Sequence, residues 1–280
     1  MREIPSLFAC LLCVACSPLG DKPEVEPEAE WPTIHDAEPT DPAPILAAER
    51  DRPVERLTRE ATDLWVGNDR SLRAAITPLA DQLEADGVLA GWGTGGGSAM
   101  FDLTVTEAEF DKLVEEQGWE VPAYVNLTFV HPLQVGAITL AAKEFVRVMP
   151  NEPQRTVFQL EALGQGRIFL ENGCLWVGEP DGIRRLAFFH AETGVDVREG
   201  ELVLVDRITT RVRGRIGEHF SWGAPNPFNE EWKAAKELRA ACGDADVTNV
   251  GNPEATSVFD ARYPGAATER PNPTPPLAEN

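Results

Sequence analysis

Helical spacing of apolar residues marks the first elements of the chain. In the segments 54–66 and 69–86 the apolar positions recur every three or four residues, which places them on one face of a helix. We therefore predict two helices. The second should be kinked or divided at Pro78, because proline lacks a backbone N–H donor, and Gly87 should end it.

A glycine-rich stretch, GWGTGGGS at 91–98, lies between two short segments of β patterning, 88–92 and 100–105. Three of its glycines fit the spacing G-x-G-x-x-G of dinucleotide-binding loops. Such loops hold a pyrophosphate against the N-terminus of the helix that follows them directly. Here a strand pattern follows, so we interpret the glycines as the loop of a β-hairpin and not as a phosphate site.

The next helix begins with the clearest local signal in the sequence. Thr106 and Glu109 have the spacing of a capping box, in which each side chain bonds the backbone N–H of the other residue. Gly118 marks the end of this helix. Strands are then predicted at 123–130 and 137–149, where apolar and β-branched residues predominate.

The second half of the chain is patterned mainly for strands. Asn172-Gly173 is a strong hairpin turn signal, and a helix over 230–242 should be capped by Asn229 and ended by Gly243. The number and spacing of the strands predict a small antiparallel β-barrel or sandwich closed by that helix. The predicted strands are 156–162, 166–171, 174–177, 184–189, 201–206 and 211–216.

Together these elements predict an α+β fold with two regions. A helix/strand region covers 51–150, and a small β domain with its closing helix covers 154–260. Pro150 and Pro153 bracket the predicted boundary between them. The proline-rich tail, 261–280, is expected to be disordered.

The net charge of the chain limits the classes of partner that it can bind. The formal net charge is −21, and the sequence contains no run of lysine and arginine. Nucleic-acid binding depends on neutralising phosphates with such residues, so we expect no nucleic-acid partner.

Residues 1–15 have the pattern of a signal peptide. The apolar run 7–15 is too short to span a bilayer, which takes about 20 residues. Small Ala15 before Cys16 resembles the lipobox of bacterial lipoproteins, in which that cysteine receives a diacylglycerol group. The lipobox usually has leucine three residues before the modified cysteine, where this chain has Cys13. A secretory signal cleaved nearby and a cytoplasmic protein are the alternatives.

The segment 16–50 is rich in proline and acidic residues and poor in apolar ones. We expect it to be a disordered tether between the lipid anchor and the folded domain. In lipoproteins of enteric bacteria, aspartate after the modified cysteine signals retention in the inner membrane. This chain has Ser17 there, so the resemblance implies the outer membrane.

The five cysteines divide by position. Cys10 and Cys13 would leave with the signal peptide, and Cys16 would carry lipid. Cys174 and Cys242 remain as an even pair, for which an oxidising compartment favours a disulfide. Two buried free thiols are the alternative.

The sequence contains few patterns that indicate catalysis or metal binding. The sequence has no H-x-x-x-H, H-E-x-x-H or paired C-x-x-C pattern, so we predict no metal or other cofactor and assign no catalytic residue. Aromatic residues gather in 217–232, and such a segment can form a ligand or peptide groove. Alternatively they fill the end of the barrel beneath the closing helix. The candidate residues are His219, Phe220, Trp222, Phe228 and Trp232.

Four segments are similar to a group of uncharacterised envelope lipoproteins from alphaproteobacteria of the sphingomonad kind. That group has no assigned activity, so the resemblance implies fold and location only and transfers no catalytic residue. The segments are VTEAEFDKLVEEQGWEVPAYVNLTFV (105–130), GRIFLENGCLWV (166–177), GRIGEHFSWGAPNP (214–227) and ELRAACGDADVTNVGNP (237–253).

These observations predict a lipid-anchored bacterial envelope protein that faces the periplasm. It would be non-enzymatic, would be held to the membrane by its lipid anchor and would act by interaction with a protein or another envelope component. One alternative is an envelope hydrolase acting on peptidoglycan or peptide through carboxylates or His219. Another is a small-ligand binder that uses the aromatic segment 217–232.

Overall fold

The computed structural model describes residues 30–49, 57–157, 160–224 and 228–265. These residues form five helices and twelve strands in three sheets, which confirms the α+β class. The predicted signal peptide, Cys16 and most of the predicted tail lie outside the described residues. The elements are α1 (Pro42–Glu49), β1 (Leu57–Arg59), α2 (Asp69–Ala85), β2 (Leu89–Gly95), β3 (Ser98–Leu103), α3 (Glu107–Gln117), β4 (Val125–Phe129), β5 (Leu160–Glu171), β6 (Cys174–Gly178), β7 (Arg184–Phe189), β8 (Thr193–Arg198), β9 (Glu201–Asp206), β10 (Val212–Arg215), β11 (His219–Ala224), α4 (Lys233–Cys242), β12 (Val247–Ala255) and α5 (Thr256–Arg262).

A four-stranded sheet with the order β1-β4-β3-β2 organises the first region. The predicted hairpin is present, with β2 and β3 antiparallel, and α3 carries the chain from β3 to the parallel strand β4. The capping box of α3 is confirmed: Thr106 N donates to Glu109 Oε2 at 2.8 Å, and Glu109 N donates to Thr106 Oγ1 at 3.3 Å. Helix α2 continues through Pro78, so the predicted division does not occur. A shared core joins α2, α3 and the sheet.

Two predicted elements of this region are wrong. The segment 54–66 forms no helix among its described residues, because Leu57–Arg59 is the edge strand β1 and pairs with β4. Leu64, which the helical spacing placed on the apolar face, is 64% exposed. The predicted strand 137–149 is mostly turn and makes only an isolated bridge to β8 within the described residues.

Five strands of the second region close into a ring with the order β11-β12-β7-β6-β5, and β5 also pairs with β11. The single long strand β5 covers the predicted strand 166–171 and the last three residues of the predicted strand 156–162, whereas residues 156 and 157 are not in a strand. The ring is mixed and not wholly antiparallel, because β12 pairs with β7 in parallel. A three-stranded sheet, β10-β9-β8, contributes to the same apolar core as the ring.

Helix α4 packs on the side wall of the ring and does not plug its interior. Along β7, Ala187 and Phe189 belong to the core inside the ring, whereas Leu186 and Phe188 belong to a second cluster with α4. Both faces of β7 are therefore buried. The helix begins after Trp232, and Asn229, the predicted cap, instead accepts a hydrogen bond from Glu231 N at 2.9 Å.

Residues 31–49, here called the N-terminal strap, lie against the ring. Ile34 and Leu170 exchange two backbone hydrogen bonds, of 2.8 and 2.9 Å. Thr40 donates from its backbone N and its hydroxyl to the buried carboxylate of Glu218. The strap is therefore folded, in contrast to the disordered tether predicted for 16–50, whose residues before Glu30 lie outside the described ranges. Composition did not reveal it because these bonds join residues more than a hundred positions apart.

Among the described residues, no helix combines the length and the apolar composition needed to cross a bilayer.

Candidate functional site

The five aromatic candidates of 217–232 do not form one groove. Phe220 and Trp222 are 0% and 5% exposed and lie in the core of the ring, because alternate residues of β11 face inward. Phe228 and Trp232 pack against Phe188, with ring centroids 5.0 and 5.6 Å from it, in the cluster beneath α4. His219 is exposed.

A cavity of about 600 Å³ opens at one end of the ring, beside Trp222. We call it the ring-mouth cavity. It collects side chains that the sequence does not bring together, from β5, β10, β11, β12, α5 and the turns around them. Its charged lining residues are Glu192, Asp206, Arg213, Glu254 and Arg262, and its aromatic ones are Trp222, Phe259 and Tyr263.

The charges of the cavity are arranged in pairs. Asp206 binds Arg213, and Glu254 Oε1 lies 2.6 Å from Arg262 Nη2. The strap adds Glu49, whose Oε2 lies 2.7 Å from the same nitrogen. Burial raises the pKa of the Glu254 carboxyl, and the nearby Arg262 and Arg213 oppose this shift. Both arginines of the cavity lining, Arg213 and Arg262, are therefore already bound by carboxylates.

Ser221 is the hydroxyl of this cavity with the best-defined surroundings. Its Oγ lies 3.1 Å from Gln165 Nε2 and 3.2 Å from Thr256 Oγ1. A serine becomes a nucleophile through an adjacent base, whereas an amide and a hydroxyl supply none. The arrangement suits binding better than covalent catalysis.

A smaller compartment of about 220 Å³ adjoins the ring-mouth cavity and shares lining residues with it. Arg155 and Glu192 meet there, with Arg155 Nε 2.7 Å from Glu192 Oε1. The backbone N of Thr156 donates to the same oxygen at 3.0 Å. The shared lining residues are His131, Thr156, Glu192 and Ile208.

A buried histidine lies two residues before Glu192 in the chain. His190 is 0% exposed, and its Nε2 is 3.6 Å from Glu152 Oε1, which also accepts from Asn249 Nδ2 at 2.9 Å. Gly251 packs against the imidazole of His190, since a Cβ atom at position 251 would lie 2.6 Å from His190 Cε1. Burial lowers the pKa of His190, and the carboxylates of Glu152 and Glu192 oppose that shift. The imidazole is therefore held in its neutral form.

The neutral state of His190 predicts a loss of stability in mild acid. The unfolded chain takes up a proton near pH 6.5, whereas the folded chain does so only at lower pH. Because the unfolded state then binds more protons, the free energy of unfolding should fall as the pH drops below about 6.5. Urea titrations from pH 7 to pH 5 should show a smaller fall for His190→Gln than for the wild type.

The exposed histidine provides the control for this test. His219→Gln should leave the free energy of unfolding at pH 7 unchanged, since His219 lies outside the core, and it therefore controls for the substitution itself. Equal pH dependence in the wild type and in His190→Gln would contradict a neutral buried His190.

Metal binding finds no support in the described part of the chain, where no group of three or more histidine, cysteine, aspartate or glutamate residues is placed to hold an ion. No protein-family model, curated protein or solved structure matches the chain. What the ring-mouth cavity binds has to be inferred from its own side chains.

Proposed function

We propose that the protein is a lipid-anchored component of the bacterial envelope, facing the periplasm, that binds a small neutral saccharide in the ring-mouth cavity without cleaving it. The observation that carries the binding role is the lining of that cavity, in which paired charges lie beside three aromatic side chains. Ligand sites combine apolar and aromatic walls with a few placed polar groups.

The chemistry of the lining favours a saccharide over other small ligands. Sugar hydroxyls donate to carboxylates such as Glu254 and accept from guanidinium groups such as Arg262, and both kinds of group line the cavity. Phe259 and Tyr263 also line the cavity, and aromatic side chains offer apolar surface for the C–H face of a sugar ring. Since the charges are already paired, a strongly charged ligand would have to break an existing ion pair.

One observation favours the hydrolase alternative. A buried carboxyl whose pKa is raised, as in Glu254, is a common general acid. However, Glu254 Oε1 is held by Arg262 at 2.6 Å, and Asp206 is engaged by Arg213. We therefore favour binding, and the appearance of monosaccharide during the binding assay below would establish hydrolysis instead.

Removal of one exposed aromatic ring should weaken saccharide binding without disturbing the fold. Tyr263 lines the cavity and is 51% exposed. We expect Tyr263→Ala to lower the affinity for the neutral disaccharide cellobiose about fivefold, since a stacked aromatic ring contributes about 1 kcal/mol. Titration calorimetry measures the affinity, and thermal unfolding checks that stability is retained.

A matched surface change controls for this effect. Ile183 is 88% exposed and does not line the cavity, so Ile183→Ala should bind cellobiose as the wild type does. Failure of the wild type to bind any neutral disaccharide would overturn the proposed binding role.

The proposed lipid anchor is supported by the sequence of the first sixteen residues. The apolar run 7–15, followed by Ala15-Cys16, supports lipidation at Cys16. The structure contains a Cys174–Cys242 disulfide, and disulfides of this kind form in oxidising compartments, which supports export.

We expect protein extracted from bacterial membranes to have the mass of residues 16–280 plus acyl groups. Cys16→Ala should lose the acyl mass, and an unacylated wild type would exclude the anchor.

A further inference from the structure

We infer that the saccharide carries an N-acetyl group, which enters the small compartment beside the ring-mouth cavity and is held there by Arg155, Thr156 and Glu192. This inference rests on the proposed function, because the compartment opens beside the cavity that would hold the sugar rings. It adds a chemical class of ligand and the residues that select it.

The Arg155–Glu192 ion pair uses only one atom of each charged group. Arg155 Nε and Glu192 Oε1 are 2.7 Å apart, and Thr156 N also donates to Oε1. The other nitrogen on that side of the guanidinium, Nη2, and the second carboxylate oxygen, Oε2, have no hydrogen-bond partner among the described residues. The Thr156 hydroxyl is likewise without one in the described part of the chain.

These three atoms are buried, so the missing partners matter. Glu192 is 7% exposed, and the three atoms have almost no contact with solvent. A buried polar atom is normally hydrogen-bonded, and a charged group left unpaired is strongly unfavourable. Glu192 and Thr156 line both cavities, so a group that enters from the ring mouth lies beside these residues, and rotation of their side chains would bring the unpartnered atoms to it.

The three unpartnered atoms match an amide. Arg155 Nη2 and the Thr156 hydroxyl are donors, and Glu192 Oε2 is an acceptor. An amide carbonyl oxygen has two lone pairs and can accept from both donors, while the amide N–H donates to the carboxylate. A hydroxyl or a water can bond the same three atoms, because its oxygen accepts from the two donors and its proton goes to the carboxylate. The apolar part of the compartment wall therefore decides in favour of an acetamido group.

The rest of the compartment suits a methyl group. Leu103, Phe129, Val130 and Ile208 form an apolar part of its wall beside the polar atoms. An acetamido group presents an amide and a methyl together, and its size is compatible with a compartment of about 220 Å³. A peptide would have to continue on both sides of its amide, for which that volume is small.

Two disaccharides that differ only at this group provide the test. Cellobiose and N,N′-diacetylchitobiose share their rings and linkage, but the second has acetamido groups in place of the 2-hydroxyls. The full-length gene product, purified from bacterial membranes in a detergent without a sugar headgroup, is titrated with each. We expect diacetylchitobiose to bind at least tenfold more tightly.

A conservative variant tests whether the small compartment causes the preference for diacetylchitobiose over cellobiose. Thr156→Val removes the hydroxyl but keeps the shape and leaves the Arg155–Glu192 pair, so it should reduce the ratio of the diacetylchitobiose affinity to the cellobiose affinity at least threefold. Thr209→Val, which changes a threonine of the ring-mouth cavity outside the compartment, should keep the preference.

Each outcome separates the inference from the function on which it rests. Equal binding of the two disaccharides, or a preference that Thr156→Val leaves unchanged, overturns the N-acetyl site while saccharide binding stands. Binding of neither disaccharide overturns the proposed function and this inference with it. Binding of N-acetyl-trialanine in place of diacetylchitobiose would assign the compartment to a peptide and overturn the saccharide.

Discussion

Loss of the Cys174–Cys242 disulfide is expected to lower the free energy of unfolding by about 4 kcal/mol. The bridge joins the first residue of β6 to the last residue of α4, across a sequence separation of 68. A crosslink that closes so long a loop removes many conformations from the unfolded chain, and this effect grows with loop length. The bridge also fixes α4 on the ring wall, where Leu238 is 1% exposed.

The double variant Cys174→Ser/Cys242→Ser tests this expectation by urea denaturation, with the reduced wild type as control. Reduction should lower the stability of the wild type to near that of the variant and should leave the variant unchanged. A variant as stable as the oxidised wild type would show that the folded β domain does not depend on the bridge.

Local signals predicted the parts of the fold that depend on neighbouring residues. The capping box needs only Thr106 and Glu109, three positions apart, and it forms as expected. The turn at Asn172-Gly173 also depends on local conformation, and both residues adopt positive φ angles, of 50° and 73°. The two cysteines could be paired by elimination, because few partners were left.

Strands that depend on distant partners were missed. Strand β12, VTNVGNPEA, contains proline and two asparagines and resembles a loop in sequence. It is nevertheless a strand because it lies between β7 and β11 and bonds to both. Similarly, β11 lies in a glycine- and proline-rich stretch, but its residues 219–224 pair with β5, more than fifty positions earlier.

The ring-mouth cavity was beyond sequence reasoning for the same reason. Arg213 and Glu254 line it from different strands, and Arg262 comes from a helix that was not predicted. None of these residues belongs to a recognisable motif, since surface arginine and glutamate are common in most sequences. Only the closure of the ring brings them together. The aromatic residues were a better signal, since Trp222 does line the cavity, although its four companions do not.

Phe220 and His219 should respond very differently to alanine substitution, although they are adjacent in the same aromatic segment. Phe220 is 0% exposed in the core of the ring and faces Gly214, where a Cβ atom would lie 2.6 Å from the Phe220 ring. Phe220→Ala should therefore leave a cavity in the core and lower the free energy of unfolding by about 4 kcal/mol.

His219→Ala should change stability by less than about 0.5 kcal/mol, because the side chain is exposed and contributes nothing to the apolar core. Urea denaturation of both variants distinguishes a structural role for the segment from a binding role. If the aromatic residues of 217–232 formed a solvent-open groove, both substitutions would leave the fold intact and would weaken ligand binding. A large loss of stability confined to Phe220→Ala would instead show that β11 builds the ring, and that binding must be sought at the ring mouth, where Trp222 contributes only one wall.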